Sequence, residues 1–595
     1  MKKIKFLATL LAAGALVACN ETIEPQGSGE NTPTTGEGYV KVAINMPTTS
    51  GTVTKSTDNG EVGANVDLED GVASEYAVNN GMIVFFKAPS SLSTGQTPEN
   101  TATFVKAYNI TIGESASGPA DQVTTRYSTI TEAPLVGENE QLYALAILNV
   151  PSVISLQGDV LKINGTVITT NSNLDAFQTK LSSGITAFTA NGITMTNAPL
   201  TDEAGTDSFN ASNAKAYTLV PVTVYATEAL AQANDATLIY VERIVAKVTL
   251  EGFDPTDDNS ITVTGTDDKV KLEGWTLNVT NKTTKLVRDV TDFSSTGNGW
   301  LASEDSNVQK RFAGTSTIPA NFTGTDANYY RIYWAEDCNY DGTSYPDEFT
   351  IYTSSTSDND ITWNAYTYDS KTSETDRAIY CLENTMNYDT QSQNETTGIL
   401  IKTKYLTKFG TQDAAQEQDF FICGTDATKY PTSTIDEVIG FCDYVKDAAS
   451  LSDNVAIKTD AEGGTYNSAD ELKNLIVKDD QSALGEADYT AIWDAIGTVY
   501  YYKDGTSYYY SALIRHFQDA EGVTHNDGTG YTLRHLGRYG VVRNNWYAIN
   551  VQSISGPGEP EIPDTPDEPD DETEGYINCT INVLSWAKRS QDVDL

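Results

Sequence analysis

The sequence predicts a mainly β protein of two tandem β-sandwich-like domains, with a few short helices and a separate strand at the C-terminal end. Three observations predict this fold class. The chain has 595 residues, more than a single hydrophobic core holds. It is rich in tyrosine (33) and glycine (44), and in threonine, serine and asparagine, which favours short strands and turns. One strand pattern near the start of the chain also recurs near its end.

The first nineteen residues match a bacterial lipoprotein signal peptide. MKKIKF is basic, LATLLAAGALVA is apolar but too short to span a bilayer, and Leu16-Val17-Ala18-Cys19 is a lipobox. The Cys19 thiol would accept a diacylglycerol group before cleavage, and this lipid is the only membrane anchor that we expect. An ordinary secretory signal with an incidental cysteine is the alternative. We expect residues 20–55, a flexible tether and the first strand, to be a propeptide.

The charge balance excludes two classes of partner. With 38 Lys+Arg against 82 Asp+Glu the formal net charge is −44. Nucleic acid and anionic membrane surfaces both select clustered basic charge. We therefore expect no nucleic-acid partner and a solvated acidic exterior.

Residues 56–250 are predicted to form the N-terminal β-sandwich domain. Four runs rich in β-branched and aromatic residues are bounded by polar turns: MIVFFK, LYALAILNV, YTLVPVTVY and YVERIVAKVTL. SNLDAFQTKL places Leu174, Phe177 and Leu181 at helical spacing, which predicts one helix across the sheet edge.

Residues 251–556 are predicted to form the C-terminal β-sandwich domain. WTLNVTN and RIYWA have the composition of strands, and Ser468 with Glu471 forms a capping box ahead of an apolar run. Asp504-Gly505 lies between VYYY and YYYSALI, which predicts a hairpin turn.

The cysteines do not indicate a metal site. Besides Cys19 there are five, an odd number without CxxC spacing, so a zinc site is unlikely by pattern and a disulfide framework is not implied. Cys423 and Cys442 are the one pair whose spacing suits a bridge.

The recurring strand is the feature that most needs an explanation. GYVKVAINMP, from residue 38, alternates Val40, Val42, Ile44 and Met46 with polar or small residues. GYINCTINVLSW, from residue 575, alternates Ile577, Cys579, Ile581 and Val583 in the same way, and continues to Trp586. Both segments suit the same position in a sheet, which can hold only one of them.

Residues 557–574 separate the second copy from the C-terminal domain. PGEPEIPDTPDEPDDETE is acidic, rich in proline and almost free of apolar residues, so we expect an extended linker that does not pack. A strand held on such a linker, residues 575–595, invites pairing with another molecule.

Proteolysis explains how one position can serve both copies. If a protease removes the first strand, the copy at Tyr576 to Val583 from a neighbouring molecule fills the open groove. This contact is head to tail, so its repetition gives an open filament. Lys55, followed by Ser56 in a polar loop, is the cleavage candidate for a trypsin-like protease, with a solvated loop lysine as the alternative.

Several motifs resemble the Mfa-type fimbrillins, the major shaft subunits of the minor fimbria of Bacteroidales. They are the lipobox, YVERIVAKV, GWTLNVTNK, YWAEDCNYDG, YCLENTM, YGVVRNNWYAINVQSISGPG and SWAKRSQDVDL. The resemblance covers the whole chain in order. It implies two transthyretin-like sandwich domains, a type V pilus, export as an outer-membrane lipoprotein, processing by a trypsin-like surface protease and strand exchange through the C-terminus.

The resemblance also implies partners. These are further copies of the chain, accessory tip and anchor pilins, and host or bacterial surface receptors in adhesion, co-aggregation or biofilm formation. One departure concerns processing: the family typically has arginine at the cleaved bond, whereas this chain has no arginine before Arg126 and offers Lys55. This departure leaves the identity of the protease and the bond open.

One segment fits the twelve-residue calcium-loop pattern. Asp337, Asn339, Asp341 and Glu348 stand at positions one, three, five and twelve, with glycine at position six. The flanking segments look like strands rather than helices, so a polar turn explains the same residues. A structural calcium ion is the one cofactor that the sequence suggests.

No catalytic site is predicted. The three histidines, His516, His525 and His535, lie in one stretch without any nucleophile, metal or nucleotide motif beside them. We expect a structural protein rather than an enzyme. The alternatives are a permanently lipidated surface lipoprotein that binds glycans or proteins through tyrosine-rich strands, and a tip or anchor pilin of the same system.

Overall fold

The computed structural model describes most of the chain. The described residues are 36–45, 73–112, 126–254, 256–294, 299–302, 309–315, 317–320, 327–340, 342, 347–365, 367, 377–424, 428–517, 530–572 and 577–585. The prediction of a mainly β protein is confirmed, because strands dominate two successive units and the helices are short. No helix in these ranges is both long and apolar enough to cross a membrane.

The described residues before 244 form fourteen strands. They are β1 (Glu37–Asn45), β2 (Gly81–Pro89), β3 (Thr103–Ile110), β4 (Arg126–Pro134), β5 (Glu140–Leu148), β6 (Ile154–Gln157), β7 (Val160–Ile163), β8 (Thr166–Val167), β9 (Lys180–Leu181), β10 (Met195–Asn197), β11 (Leu200–Thr201), β12 (Ala216–Tyr217), β13 (Val220–Val222) and β14 (Thr237–Arg243).

The main sheet of this N-terminal unit has eight strands. Its order is β3-β2-β5-β10-β14-β1-β4, and β13 pairs with β5. Apolar residues from strands far apart in this order, such as Val42, Phe85 and Ile239, belong to one buried cluster. The sheet therefore folds around its own core, as the two layers of a sandwich do.

The part of the chain that the structure describes after residue 244 forms nineteen strands. They are β15 (Val245–Glu251), β16 (Ser260–Thr262), β17 (Lys269–Asn278), β18 (Thr280–Asn281), β19 (Thr284–Lys285), β20 (Ile318–Ala320), β21 (Ala327–Arg331), β22 (Phe349–Thr350), β23 (Ala378–Leu382), β24 (Gly398–Leu406), β25 (Phe420–Cys423), β26 (Lys429–Pro431), β27 (Val455–Ile457), β28 (Gly464–Tyr466), β29 (Ile476–Lys478), β30 (Val499–Tyr502), β31 (Thr506–Leu513), β32 (Asn545–Ile554) and β33 (Ile577–Ser585).

Two four-stranded sheets form the sandwich of the C-terminal unit. Their orders are β23-β15-β32-β33 and β16-β17-β24-β31. Val248 of the first sheet and Trp275 and Ile401 of the second belong to the same buried cluster. Alternation along β17 and β24 turns these side chains inward, so the two sheets pack face to face.

A module with its own core is inserted between β24 and β31. It contains the sheet β26-β25-β30-β28, the pair β27-β29 and two helices. Phe421, Phe441 and Ile492 lie in its buried cluster, where Phe421 stacks on Phe441 with ring centroids 4.1 Å apart. The sequence prediction did not separate this module from the sandwich.

The helices are short. The α-helices are α1 (Ala73–Tyr76), α2 (Pro98–Thr101), α3 (Thr186–Thr189), α4 (Glu228–Ala233), α5 (Phe441–Ala448) and α6 (Glu486–Ile496). The 3-10 turns described are Leu174–Phe177, Thr291–Phe293, Trp300–Ala302, Asp358–Asp360, Tyr388–Thr390, Glu471–Asn474, Lys503–Gly505, Leu533–His535 and Asp570–Glu572.

Two predicted local structures differ from the observed ones. The helix predicted over SNLDAFQTKL is a 3-10 turn that ends at Phe177, because Lys180–Leu181 pairs with β19 as a strand. The Asp504-Gly505 turn exists, but it does not close a hairpin, since β30 pairs with β25 and β28 whereas β31 pairs with β24. The turn instead carries the chain from the inserted module back to the sandwich.

The Ser468 cap is present in part. The hydroxyl of Ser468 accepts a hydrogen bond from the Glu471 amide at 3.2 Å, while the Glu471 carboxylate accepts from the Asn467 amide rather than from Ser468. The capped turn continues into β29 instead of a helix.

The domain boundary lies earlier than predicted. The sequence interpretation placed it at residue 250, but β14 belongs to the N-terminal sheet and β15 to the C-terminal sheet. The chain therefore passes from one unit to the other at Ile244. The run YVERIVAKVTL is two strands of two different units, which its continuous apolar pattern does not reveal.

Candidate functional site

The candidate site is the groove that β1 occupies, here called the β1 slot, bounded by β4 and β14. Strand β1 pairs antiparallel with β4 along its whole length, Glu37–Asn45, and parallel with β14 from Val42 to Asn45. It is thus an interior strand with ladder partners on both sides. Its removal would leave the backbone groups of two strands unpaired.

The apolar face of β1 lies in the core. Val40, Val42 and Ile44 are each 0% exposed, and all three belong to the cluster that fills the N-terminal unit. Burying a side chain of this size stabilises a fold by about 1.5–3 kcal/mol. Met46 lies outside the described residues.

The start of the slot accepts only glycine. The Tyr39 amide donates to the Tyr225 carbonyl at 2.7 Å, and the Tyr225 amide donates to the Tyr39 carbonyl at 2.7 Å. This pairing brings the backbone so close that a Cβ on Gly38 would stand 2.7 Å from the Tyr225 carbonyl oxygen and 2.6 Å from Val224. Any larger residue at this position would displace the backbone.

Charged residues hold the start and the middle of β1. The Lys106 ammonium, on β3, donates to the Glu37 carboxylate at 2.6 Å, and the Tyr108 hydroxyl donates to the same carboxylate at 3.0 Å. The bond with Lys106 lowers the pKa of Glu37. Lys41 donates to the carbonyls of Gln232 and Asn234, at the end of α4, at 3.1 and 2.8 Å.

The second copy of the strand pairs with its own chain. Backbone pairs between β33 and β32 run antiparallel from Ser585 opposite Asn545 to Ile577 opposite Ile554. The C-terminal strand, for which the sequence suggested pairing with another molecule, thus pairs within its own chain, because β32 offers it an open edge. Among the residues that the structure describes, strand β33 is the last strand of that sheet and has a ladder partner on one side only. Ile577, Cys579, Ile581 and Val583 are in β33, whereas Tyr576 and Trp586 lie outside the described residues.

The segment before β33, residues 557–572, packs against the C-terminal unit and is called the strap here. Glu559 and Tyr508 exchange two backbone hydrogen bonds, of 2.8 and 2.9 Å, and Ile562 lies in a buried cluster with Leu400. The expectation of an extended linker that does not pack is therefore wrong. Its few apolar atoms and its carboxylates find partners on the sandwich, which composition alone does not reveal.

Two carboxylates fix the end of the strap. The Asp571 carboxylate forms ion pairs with Arg538 and with Arg515, the latter at 3.0 Å, and accepts from the Tyr539 hydroxyl at 2.6 Å. The Asp570 carboxylate accepts from Thr396 at 2.6 Å, and burial raises its pKa well above the usual value. The chain is thus held to its own unit up to a point just before β33.

A second anchor lies on the other side of the predicted cleavage loop. Glu75, in α1, forms a buried ion pair with Lys247 of β15 at 2.9 Å, and the Arg243 Nε donates to the Glu75 carbonyl at 2.9 Å. The Lys247 ammonium also lies 4.0 Å from the centre of the Trp546 ring. Glu75 therefore holds the chain that would remain after cleavage. Cys19, Lys55 and Ser56 lie outside the described residues.

The predicted calcium residues are engaged by protein groups. The Asp337 carboxylate accepts from the Thr385 and Asn339 amides at 2.7 and 2.9 Å, and burial raises its pKa to about 7. Glu348 pairs with Lys180 and accepts from Thr283 at 2.9 Å. Asp341 lies outside the described residues, among which no group of three or more His, Cys, Asp or Glu residues could hold a metal. Calcium binding stays a prediction from sequence spacing.

The two described histidines are hydrogen-bonded to groups of the protein, and the cysteines whose side chains are described are free thiols. His516 is buried, with Nδ1 2.8 Å from the Tyr547 hydroxyl and Nε2 3.1 Å from the Tyr333 carbonyl. The Nδ1 of His535 accepts from the Thr532 amide at 2.9 Å, and His525 lies outside the described residues. Cys423 and Cys442 are free thiols, so the bridge considered from their spacing is not formed.

Solved structures with detectable similarity are distant. A candidate cell adhesion protein from Parabacteroides distasonis is 12% identical with a TM-score of 0.35, covering 94% of this chain and 100% of its own. A fimbrilin from Porphyromonas gingivalis is 13% identical with a TM-score of 0.31, covering 93% and 99%. The tip fimbrial protein Mfa3 of the same organism is 9% identical with a TM-score of 0.29, covering 93% and 100%. These values are too low to assign a role to this chain.

The family comparison concerns the end of the chain that carries β31, β32 and β33. No curated protein matches the chain significantly. Residues 500–592 match the family described as "Major fimbrial subunit protein type IV, Fimbrillin, C-terminal". This region includes two of the motifs that resembled fimbrillins, YGVVRNNWYAINVQSISGPG and most of SWAKRSQDVDL. Residues 500–592 therefore have the sequence of a fimbrillin C-terminal region, and the resemblance to fimbrillins that the motifs indicated is confirmed.

Proposed function

We propose that this protein is a structural subunit of a cell-surface fimbrium, and that it forms the shaft. It polymerises head to tail by donor-strand exchange after a trypsin-like surface protease cleaves beside Lys55. The fibre supports adhesion, co-aggregation or biofilm formation, and the protein performs no enzymatic reaction. Its precursor is an outer-membrane lipoprotein with the lipid on Cys19. Its partners are further copies of itself, tip and anchor pilins and surface receptors.

One observation carries the proposal. The chain contains two similar strand sequences, the first as the interior strand β1 and the second as the edge strand β33. An edge strand exposes a row of unpaired backbone groups, whereas an interior strand has none. The second copy therefore gains a second ladder by moving from β32 to an emptied β1 slot on another molecule.

The energetics favour this transfer only after cleavage. While β1 is covalently attached, it competes for its own slot as an intramolecular ligand, whose effective concentration no second molecule reaches. Between Asn45, the last residue of β1, and α1, the sequence contains a single basic residue, Lys55. A cut there leaves β1 held by noncovalent contacts alone. Cleavage thus serves as the switch between monomer and fibre.

Two anchors support a shaft role. Glu75, which follows the cleavage candidate in the sequence, is ion-paired with Lys247 at the unit boundary, and the strap holds the chain just before the donor to its own C-terminal unit. A subunit that both opens a slot and presents a donor links to two neighbours. A tip subunit needs no donor, and an anchor needs no cleavage.

Limited trypsin digestion tests the proposal. The chain without residues 1–19 is digested, its new N-terminus is sequenced, and SDS-resistant oligomers are separated on a gel. We expect cleavage after Lys55 followed by a ladder of oligomers. In Lys55→Gln we expect neither cleavage after residue 55 nor a ladder. A chain that is cut there and stays monomeric would contradict strand exchange.

The pairing of β33 with β32 favours a second candidate function. If β33 stays in that position permanently, the protein is a monomeric lipidated surface protein that binds glycans or proteins. Persistent monomers in the digestion experiment, together with retention of the lipid on Cys19 in membranes, would select this second function.

A further inference from the structure

The repeated sequence extends one residue further than its strand pattern. Glu37-Gly38-Tyr39 opens the first copy, and Glu574-Gly575-Tyr576 precedes the second. In the β1 slot, Glu37 makes a charge contact and Gly38 allows a close backbone approach. This inference rests on the proposed strand exchange and concerns how the incoming strand is aligned.

The glycine excludes every other alignment. Gly38 is the point at which a Cβ would come within 2.7 Å of the Tyr225 carbonyl oxygen. A donor shifted by two residues keeps its apolar face inward but brings Ile577 or Thr573 to this point. A shift by one residue brings Tyr576 or Glu574 there and turns the apolar face outward. Only Gly575 fits.

The glutamate adds a charge contact at the same end. Once β1 has left, the Lys106 ammonium and the Tyr108 hydroxyl lose the carboxylate of Glu37 that they bind. With Gly575 in the place of Gly38, Glu574 takes the place of Glu37. The Lys106 pair with Asp159, at 3.2 Å, does not prevent this, because Lys106 binds both carboxylates in the present structure.

The rest of the strand fits the same alignment. Ile577, Cys579 and Ile581 take the buried positions of Val40, Val42 and Ile44, which are 0% exposed. Asn582 takes the buried position of Asn45, an identical residue. Asn578 replaces Lys41, so the two contacts of that ammonium with the end of α4 are not reproduced.

We propose that residues 574–583 of a second copy of this chain occupy the β1 slot in one register, with Gly575 against Tyr225 and Glu574 against Lys106. The glycine determines the register by steric exclusion. The carboxylate adds a charge contact with Lys106 at the start of the slot.

A single engineered cysteine tests the register with a native thiol. Val42 lies opposite Thr129 of β4, so in this register Cys579 of the neighbour lies opposite residue 129. Trypsin-activated Thr129→Cys chains, oxidised with copper–phenanthroline, should give fibres whose subunits are linked by disulfides. Uncleaved Thr129→Cys chains and fibres of Thr129→Cys with Cys579→Ser should give none.

The matched control is Thr131→Cys, opposite Val40 on the same face of β4. In the proposed register residue 131 lies opposite Ile577, and no disulfide forms. Linkage through residue 131 instead of 129 would overturn the register while leaving strand exchange intact. Fibres with linkage through neither residue would overturn both, because the donor would then lie elsewhere.

Variants of the donor provide an independent test. Gly575→Val should lower the polymerisation rate at least tenfold and leave a folded monomer, while Asn578→Val, at the half-buried position of Lys41, should polymerise normally. Glu574→Lys should lower the rate about two- to fivefold, the range expected for one exposed ion pair, and Lys106→Glu should restore it. Normal polymerisation of Gly575→Val would overturn the proposal.

Discussion

At the scale of single residues, His516 shows how burial changes a side chain that titrates near neutral pH in water. Its ring lies in the core between the Tyr547 hydroxyl and the Tyr333 carbonyl. Burial lowers its pKa to about 3, against an ordinary value of 6.5. The folded protein therefore keeps the imidazole neutral where the unfolded chain protonates it.

We expect His516 to make stability depend on pH in acid. Below pH 6.5 the imidazole of His516 binds a proton in the unfolded state but not in the folded state. The free energy of unfolding therefore falls as the pH decreases towards 3. Because of this residue, the free energy of unfolding falls by about 1.4 kcal/mol for each unit by which the pH decreases in this range. Urea unfolding at several pH values measures it.

His516→Gln is the control, because glutamine does not titrate. Other groups with shifted pKa values, such as Asp337, contribute equally to both proteins, so the difference between the two profiles isolates His516. Identical slopes between pH 6 and 4 would show that the histidine is not buried neutral.

At the scale of elements, the strap explains why a proline-rich acidic segment packs at all. Asp571 is bound by two arginines and a tyrosine, and Arg538 is 1% exposed. Removing one partner of a buried ion pair costs about 3–5 kcal/mol, because the other charge stays desolvated. Charge therefore fixes the end of the strap, in addition to the backbone pairing of Glu559 and the burial of Ile562.

We expect Asp571→Ala to release the end of the strap. Amide hydrogen exchange in the last residues of the strap should accelerate strongly, because the ion pairs with Arg538 and Arg515 are lost there. Asp567→Ala, which changes an exposed carboxylate of the same segment, is the matched control and should exchange as the unaltered protein does. Equal exchange rates in both variants would mean that the backbone contacts alone hold the strap.

The donor strand itself makes a second prediction at this scale. Ile581→Asp places a carboxylate where Ile44 lies 0% exposed, and burying an unpaired charge is far more costly than losing a methyl group. We expect a folded monomer that is cleaved after Lys55 and does not polymerise. Removing residues 575–595 should give the same result.

Asn578→Asp is the control for the donor strand, since Lys41 lies at a half-buried position. Sedimentation after trypsin activation distinguishes the variants. Fibres of normal length from Ile581→Asp would show that this position does not enter the slot.

At the scale of the whole molecule, buried charges join the two units. Glu75 binds Lys247 at 2.9 Å, and Arg288 binds Glu242 at 3.1 Å. These pairs have directional geometry, which apolar packing lacks. The relative position of the units is therefore tied to the pairing of specific charges.

We expect Glu75→Gln to destabilise the protein by about 3–5 kcal/mol, because Lys247 keeps its buried charge without the carboxylate. The free energy of unfolding in urea measures the loss. Asp470→Asn, which breaks a pair whose carboxylate side chain is 87% exposed, should leave the free energy of unfolding nearly unchanged. Equal effects of the two substitutions would mean that Glu75 is hydrated in solution.

Period-two alternation predicted the residues that pack in β1. Val40, Val42 and Ile44 could be assigned to the core because a strand turns every second side chain to the same face. The repeat also identified β33 as a strand of the same kind. The sequence shows that the glycine and the glutamate of the triplet recur. It does not show what they contact, because Tyr225 and Lys106 lie far away in the sequence.

The sequence by itself determined what local pattern controls: the mainly β class, the strand copies, the acidic exterior and the fimbrillin-like C-terminal region. Tertiary structure alone decided which strands pair, since ladders join residues hundreds of positions apart. It placed β1 between β4 and β14, β33 beside β32, and Asp571 between its arginines. Such contacts depend on which unpaired edges and charges come together, and no short stretch of sequence encodes that choice.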